Sequence, residues 1–265
     1  MTTINQANAV YYRVGLLGGG AASRVYAGPT QVWPPPVTYA SVILGTANLV
    51  GYWRLGEASG TVAADASPGG HPGTYMNAPT LGVAGAIAGN TAITLNGTNQ
   101  SVNFPGSLDI LGGIERPTQL LTWAQLGDIV TIEAWVNRNG GTFAGLGGIV
   151  SKGIGGYYIR MDGTTGQFFF VRSKVASLCP STANVPSTGW HHVVGTKNGA
   201  TLKLYLDGVD RTGTVSNSTL TNDVEPLTFG HDSNAAEWFK GSLDEIALYS
   251  RALSASEVLA HYNAR

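Results

Sequence analysis

One cysteine stands among 265 residues, Cys179, so the chain can form neither an intramolecular disulfide nor a thiolate metal cluster. Its neighbours, Leu178 and Pro180, are apolar and no activating group is adjacent in sequence. That context reads as a small packed side chain rather than a nucleophile. Charge is scarce as well. Asp, Glu, Lys and Arg make up 12% of the residues and the formal net charge is −1, which leaves no basic field to draw in nucleic acid or an anionic membrane. No run reaches the roughly 18 apolar residues of a membrane-crossing helix, so membrane insertion is not expected. Residues 1–10 lack the basic start and apolar core of a secretory leader. Release by lysis or assembly is then the expected route to an extracellular place.

Glycine is what the chain has in excess, 37 residues, as many tight turns and bulges would require. The stretch Gly189-Trp-His-His-Val-Val-Gly-Thr196 alternates with period two, Lys197-Asn-Gly199 turns, and Leu202, Leu204 and Leu206 line one face of the next strand before Asp207-Gly208. These features predict a hairpin. Further strands are predicted at 49–55, 91–95, 101–104, 129–136, 147–152, 157–161, 167–172, 226–230 and 241–249. Ile129–Val136 is apolar on both faces, the signature of a strand buried from both sides.

The one strong helix signal comes at the end, where Ser254 and Glu257 form a capping box ahead of Val258, Leu259 and Tyr262. Residues 1–41 are different in character. A strand is expected at Val10–Val14 and short apolar pieces at 25–28 and 31–33, followed by Pro34-Pro-Pro36, a stiff extended segment. Tyr11, Tyr12, Tyr26 and Trp33 there are expected to pack on another surface. The organisation read from the chain is an extended anchoring arm, 1–41, and a β-sandwich domain, 42–265. The fold class is all-β: two antiparallel sheets packed face to face, with a short C-terminal helix.

Chemistry is thinly marked. His191 and His192 are adjacent on a strand and point to opposite faces, so they do not grip one metal. His71 and His231 lie in loops without a third ligand. Glu133 is a lone acid on its strand, and Asp244 and Glu245, being adjacent, should face apart; no set of acids marks a hydrolytic centre, and the chain is read as non-enzymatic. Calcium is the better chemical expectation. Asp65 and Ser67, in the loop 65–73, offer hard oxygen ligands, and Asp244, placed by alternation with Ile246 and Leu248, would be a partly buried carboxylate in need of a partner. Either one ion joins Asp65, Ser67 and Asp244, or both acids only bind turns. Trp53, Trp135 and Trp190 are expected in the core. Trp123 and Trp238 border irregular segments where a ring could stack on a sugar, with Asp232 and Asn234 beside Trp238 to bond hydroxyls; ordinary edge packing is the rival reading of each.

An ordered set of motifs then carries a resemblance: Val50-Gly-Tyr-Trp-Arg-Leu, Ile129-Val-Thr-Ile-Glu-Ala-Trp-Val, Gly148-Ile-Val-Ser-Lys, Gly189-Trp-His-His-Val-Val, Leu202-Lys-Leu-Tyr-Leu-Asp-Gly and Gly241-Ser-Leu-Asp-Glu-Ile-Ala-Leu-Tyr. Over residues 46–265 the chain resembles the laminin-G-like group of the concanavalin A-like lectin/glucanase fold. The resemblance implies a jelly-roll sandwich, adhesion or carbohydrate binding more often than catalysis, and a structural calcium near the loop 65–73 with Asp244 facing it. Where members often read Ser-Gly-Asn-Gly, this chain has Ser67-Pro-Gly-Gly70. A shorter segment, Ser23–Pro34, resembles tail and other virion proteins of tailed bacteriophages. It implies a minor tail or fibre-associated component of the phage virion, assembled in the host cytoplasm. Residues 1–41 would hold it to other virion proteins and copies of itself, and the sandwich would face host-surface glycan. The alternatives are a purely architectural decoration protein, and a soluble carbohydrate-binding module or glycoside-active enzyme.

Overall fold

Two-residue periodicity builds nearly all of this chain. The computed structural model describes residues 37–104, 124, 126–153, 156–172, 178–221, 226–232 and 237–265, and the backbone alone at 3–6, 9–13, 25–27, 30–33 and 176–177. In the N-terminal segment that backbone forms an antiparallel meander of four short strands, β1 (Thr3–Gln6), β2 (Ala9–Arg13), β3 (Val25–Ala27) and β4 (Thr30–Trp33). The strand expected at Val10–Val14 is β2, the short apolar pieces fall on β3 and β4, and the aromatic side chains of the arm lie outside the described residues.

The rest is a sandwich. After α1 (Tyr39–Gly45) come β5 (Leu49–Trp53), β6 (Val62–Ala63), β7 (Gly73–Met76), β8 (Thr80–Ala84), β9 (Thr91–Asn96) and β10 (Ser101–Phe104). β11 (Ile129–Asn137), β12 (Leu146–Lys152), β13 (Tyr157–Asp162), β14 (Gln167–Arg172) and β15 (Ala176–Asn184) follow. The chain finishes with β16 (His191–Asn198), β17 (Thr201–Leu206), β18 (Val209–Asp210), β19 (Leu227–Phe229), β20 (Lys240–Tyr249) and α2 (Ala255–Asn263). One sheet runs β18-β17-β16-β11-β20-β9-β8, with β5 also on β20; the other runs β15-β14-β13-β12-β19-β10-β7-β6. All these pairings are antiparallel.

Between the sheets, Ile132, Leu204 and Leu248 face Ile159, Phe168 and Phe170. Trp53, Phe104 and Phe229 meet edge to face with centroids 4.7–5.1 Å apart, the favoured geometry for aromatic quadrupoles. Gly195 lets Phe170 and Ile159 of the second sheet come close to β16, since a Cβ there would sit 2.7 Å from the Phe170 ring. Cys179 is buried, as its apolar neighbours predict.

The outer face of the first sheet is covered too, which is why β11 is buried on both sides. Tyr52, Trp135, Val194, Tyr205, Ala247 and Tyr249 form a second apolar layer beneath Tyr39 and Ile43 of α1 and Val258 of α2. α1 departs from the sequence expectation of a single helix. Its box is Thr38 with Ser41, each side chain bonding the other's backbone, and the shorter serine replaces the glutamate that flags such a start. Trp53 and Trp135 are core residues as expected, whereas Trp190 is only half-buried, its Nε1 on Ala84 O at 3.3 Å.

One edge of the sandwich is tied shut. After β18 the chain crosses from one sheet to the other: Arg211 N bonds Leu204 O (2.7 Å), Thr182 N bonds Arg211 O (2.8 Å), and Gly213 N and Ser216 N bond Pro180 O and Leu178 O.

Candidate functional site

Alternation along β13 sends Tyr157, Ile159 and Met161 inward, so Tyr158 and Arg160 face out from the second sheet. The segment after β19 folds back onto that corner because Gly148 leaves room for it: a Cβ on Gly148 would lie 2.5 Å from the His231 carbonyl carbon. Glu237 O accepts from Gly148 N (2.9 Å) and Asp232 N (3.3 Å). The Glu237 carboxylate accepts from Tyr158 Oη at 2.8 Å and pairs with Arg160 at 3.3 Å. Asp232 is buried and accepts from Ser151 Oγ at 3.3 Å. The Trp238 ring, half-buried, stacks on His231 with centroids 4.4 Å apart. The Arg160 guanidinium lies 5.8 Å from the Phe169 centroid, also on the outward register.

Two of the sequence-predicted contact residues, Trp238 and Asp232, therefore share one constellation with His231, Glu237, Tyr158 and Arg160. Asn234 and Trp123 lie outside the described residues. Tyr158 and Arg160 were not predicted as site residues, although the in/out pattern around Ile159 marks them. Burial first, then Glu237 and Asp232, pushes the Tyr158 phenol well above its usual range, so it stays a neutral donor. A partly exposed indole beside fixed donors and acceptors is suited to a flat, hydroxyl-bearing ligand.

The expected calcium ligands behave differently. Asp65 Oδ1 accepts from Tyr52 N (2.9 Å) and Ser67 N (2.8 Å), and Oδ2 from His71 N (2.8 Å). Ser67 Oγ accepts from Gly69 N at 3.1 Å. Asp65 and Ser67 thus organise their own loop. Asp244 binds elsewhere: Oδ2 accepts from Ala86 N (2.7 Å) and Oδ1 from Asn90 Nδ2 (3.0 Å). Among the described residues no group of three or more His, Cys, Asp or Glu side chains converges as a metal cage. N–H donors aimed at these oxygens do not fit a cation held jointly by Asp65, Ser67 and Asp244.

The acid pair 244–245 also corrects the face assignment. Glu245 has φ +50° and the β11–β20 register shifts there, so Asp244 opposes Trp135 while Ala247 opposes Glu133. A bulge of this kind breaks alternation. Asp244 does not share the inner face with Ile246 and Leu248, and the two acids do not point apart. Both reach Asn90 Nδ2, Glu245 Oε1 at 2.9 Å. Glu245 also pairs with Arg54 at 3.2 Å and accepts from Tyr52 Oη. Burial, with Glu245 second, pushes Asp244 up to about 8.

His191 and His192 do face apart. His191 Nδ1 lies 2.8 Å from Asp207. His192 turns to the outer face of the first sheet beneath the helices, its ring 5.0 Å from that of Trp135 and its Nε2 2.8 Å from Glu133. Glu133, the lone acid of its strand, also accepts from Tyr39 Oη (2.8 Å) and His261 Nδ1 (2.9 Å), joining α1, α2 and the sheet.

Comparisons with known proteins agree with this architecture. At 25% identity over 169 residues the chain is similar to adhesion G-protein coupled receptor V1 of Danio rerio; the match takes in 58% of this chain and 3% of the receptor. Domain 4 of AbnA, an extracellular arabinanase of Geobacillus stearothermophilus solved with arabinotriose, superposes with TM-score 0.58 at 15% identity, over 81% of this chain and 98% of that domain. Trypanosoma rangeli sialidase gives 0.57 at 20% identity, over 83% of this chain and 33% of the enzyme. The binding domain of Paraclostridial Mosquitocidal Protein 1 gives 0.58 at 18% identity, over 82% and 52%. These three share the fold. A family model described as concanavalin A-like lectin/glucanases superfamily matches residues 96–259, more than half of the 265 residues, and the chain belongs to that superfamily.

Proposed function

We propose that the sandwich is a non-catalytic carbohydrate-binding module whose ligand contacts the corner formed by Trp238, His231, Glu237 and Arg160, with the buried Tyr158 bracing Glu237 from beneath. The observation that carries this reading is the partly exposed Trp238 ring stacked at 4.4 Å on His231, beside the Glu237–Tyr158–Arg160 bonds. An indole offers a face to the C–H surface of a sugar, and fixed polar groups at its rim select the hydroxyl pattern. Similar domains occur beside glycoside-active chains, and one was solved with arabinotriose, which supports the ligand class.

This reading is one of the sequence-level alternatives and is preferred to a phage tail or fibre role. The virion assignment rests on Ser23–Pro34, whose side chains lie outside the described residues, and the similar proteins are a receptor, two glycosidases and a binding domain. Among the described residues Asp65, Ser67 and Asp244 do not converge on one cation, and calcium enters no step of the proposed binding.

The test is a glycan array on the full chain, followed by calorimetric titration of any binder, with arabinotriose and sialyllactose included. Binding weakened about tenfold or more in Trp238→Ala while the melting temperature is kept supports the proposal. No binding by wild type, or full binding by Trp238→Ala, defeats it.

A further inference from the structure

The charges at the Trp238 corner are already matched before any ligand arrives. Tyr158 is fully buried, and its Oη donates to Glu237 Oε2 at 2.8 Å, which fixes the carboxylate in place. Arg160 Nη1 reaches both oxygens of that carboxylate, at 3.3 Å and 3.4 Å, and its guanidinium lies 5.8 Å from the Phe169 centroid. Both charged side chains keep part of their surface in solvent, 21% for Arg160 and 23% for Glu237, so the pair stands at the rim of the corner. The other charged groups of the neighbourhood are turned to other uses. Asp232 is buried and accepts from Ser151 Oγ at 3.3 Å, and Lys152 beside Ser151 is buried as well. Residues 233–236 read Ser-Asn-Ala-Ala and carry no charge. Lys240 lies against Gly97, just after β9. His231 has Nδ1 2.7 Å from Asp232 O, and burial pushes this histidine below its usual range.

We infer that the Glu237–Arg160 pair makes this corner a site for uncharged sugars, with Glu237 the residue that turns away carboxylated ones such as uronic and sialic acids. The inference rests on the sugar-binding reading above and adds its ligand class. A ligand carboxylate approaching Arg160 meets Glu237 already on the guanidinium, so two like charges crowd one cation while both lose water. A hydroxyl meets no such conflict. A carboxylate has about four acceptor positions; Tyr158 occupies one and Arg160 bridges both oxygens, which leaves room for a sugar O–H to donate. An ionised acid group brings acceptors alone and has no proton to offer there. Exclusion by a standing like charge is specificity built by repulsion.

The experiment compares wild type, Trp238→Ala and Glu237→Gln, each as the full chain, on a glycan array at about pH 8, where an ordinary histidine is neutral. Calorimetric titration of the binders follows, with sialyllactose and trigalacturonate as the acidic probes. The sugars that wild type binds and Trp238→Ala binds more weakly are expected to be uncharged. Glu237→Gln keeps an acceptor for Tyr158 and leaves the Arg160 charge unopposed, so the acidic probes are expected to gain about tenfold relative to uncharged sugars. Arg160→Gln keeps Glu237 and is expected to retain the preference for uncharged sugars; it decides the matter should Glu237→Gln not fold. Binding of an acidic sugar by wild type that depends on Trp238, an unchanged ratio of acidic to uncharged binding in Glu237→Gln, or loss of the preference in Arg160→Gln overturns the inference and leaves the sugar-binding reading standing. No Trp238-dependent binder of either kind overturns both.

Discussion

Removing the Glu133 carboxylate is the sharpest perturbation of this fold. The group is fully buried, and three donors converge on it: Tyr39 Oη, His192 Nε2 and His261 Nδ1, at 2.8–2.9 Å. Glu133→Ala leaves all three without an acceptor. Each orphaned buried donor costs about 1–3 kcal/mol when it finds no substitute. Partial relaxation keeps these from adding, so a loss of about 4 kcal/mol is expected, a large part of the roughly 5–15 kcal/mol that holds a domain together. Glu133→Gln separates charge from hydrogen bonding. Its Oε1 still accepts from Tyr39 and His192, and its amide keeps a hydrogen-bonding group against His261 Nδ1. That variant should lose only about 1 kcal/mol. Urea denaturation followed by tryptophan fluorescence measures both, with a midpoint shift of about 1–2 M for the alanine variant at the m-values usual for small proteins. A loss below about 1 kcal/mol for Glu133→Ala, or equal losses for the two variants, would refute the reasoning.

The remaining predictions concern the acid bulge and the Trp238 corner. Because Asp244 is raised from 3.8 to about 8 by burial and by Glu245, the folded chain holds a proton that the unfolded chain releases; stability should therefore fall as pH climbs between about 4 and 8, by at most about 1.4 kcal/mol per unit. Denaturation curves across that range should show the slope, and Asp244→Asn should flatten it. Chelation with EDTA should leave the melting temperature within about 1 °C in differential scanning calorimetry, since Asp65 and Asp244 are satisfied by N–H donors. Trp238→Ala should weaken sugar binding about tenfold in titration calorimetry, in line with the loss of one stacking surface. Gly148→Ala should push residues 231–232 off β12, costing about 1–3 kcal/mol and reducing the same affinity.

Much of the architecture is legible in the residues because strand alternation and burial follow the same period. Ile129–Val136, apolar on both faces, correctly announces a strand covered from both sides, and Ser254 with Glu257 announces α2. Two features escape. The start of α1 is capped by Ser41 instead of an acid, so it lacks the usual mark. The bulge at Glu245 depends on a positive φ in a residue type that gives no warning of it, and one extra residue was enough to move Asp244 to the other face. At the candidate site, Trp238 and Asp232 were legible as a polar–aromatic loop. Their partners come from β12 and β13, some 75 to 85 positions earlier in the chain, a proximity created only by the pairing order of the sheet.

α1 and α2 meet through Thr46 and His261 at 3.0 Å, on the flank of the sandwich away from Tyr158 and Trp238. The polypeptide thus enters and leaves this unit at neighbouring points. Such a plug can be spliced into a loop of a host protein, or flanked by other modules, with little distortion of either partner.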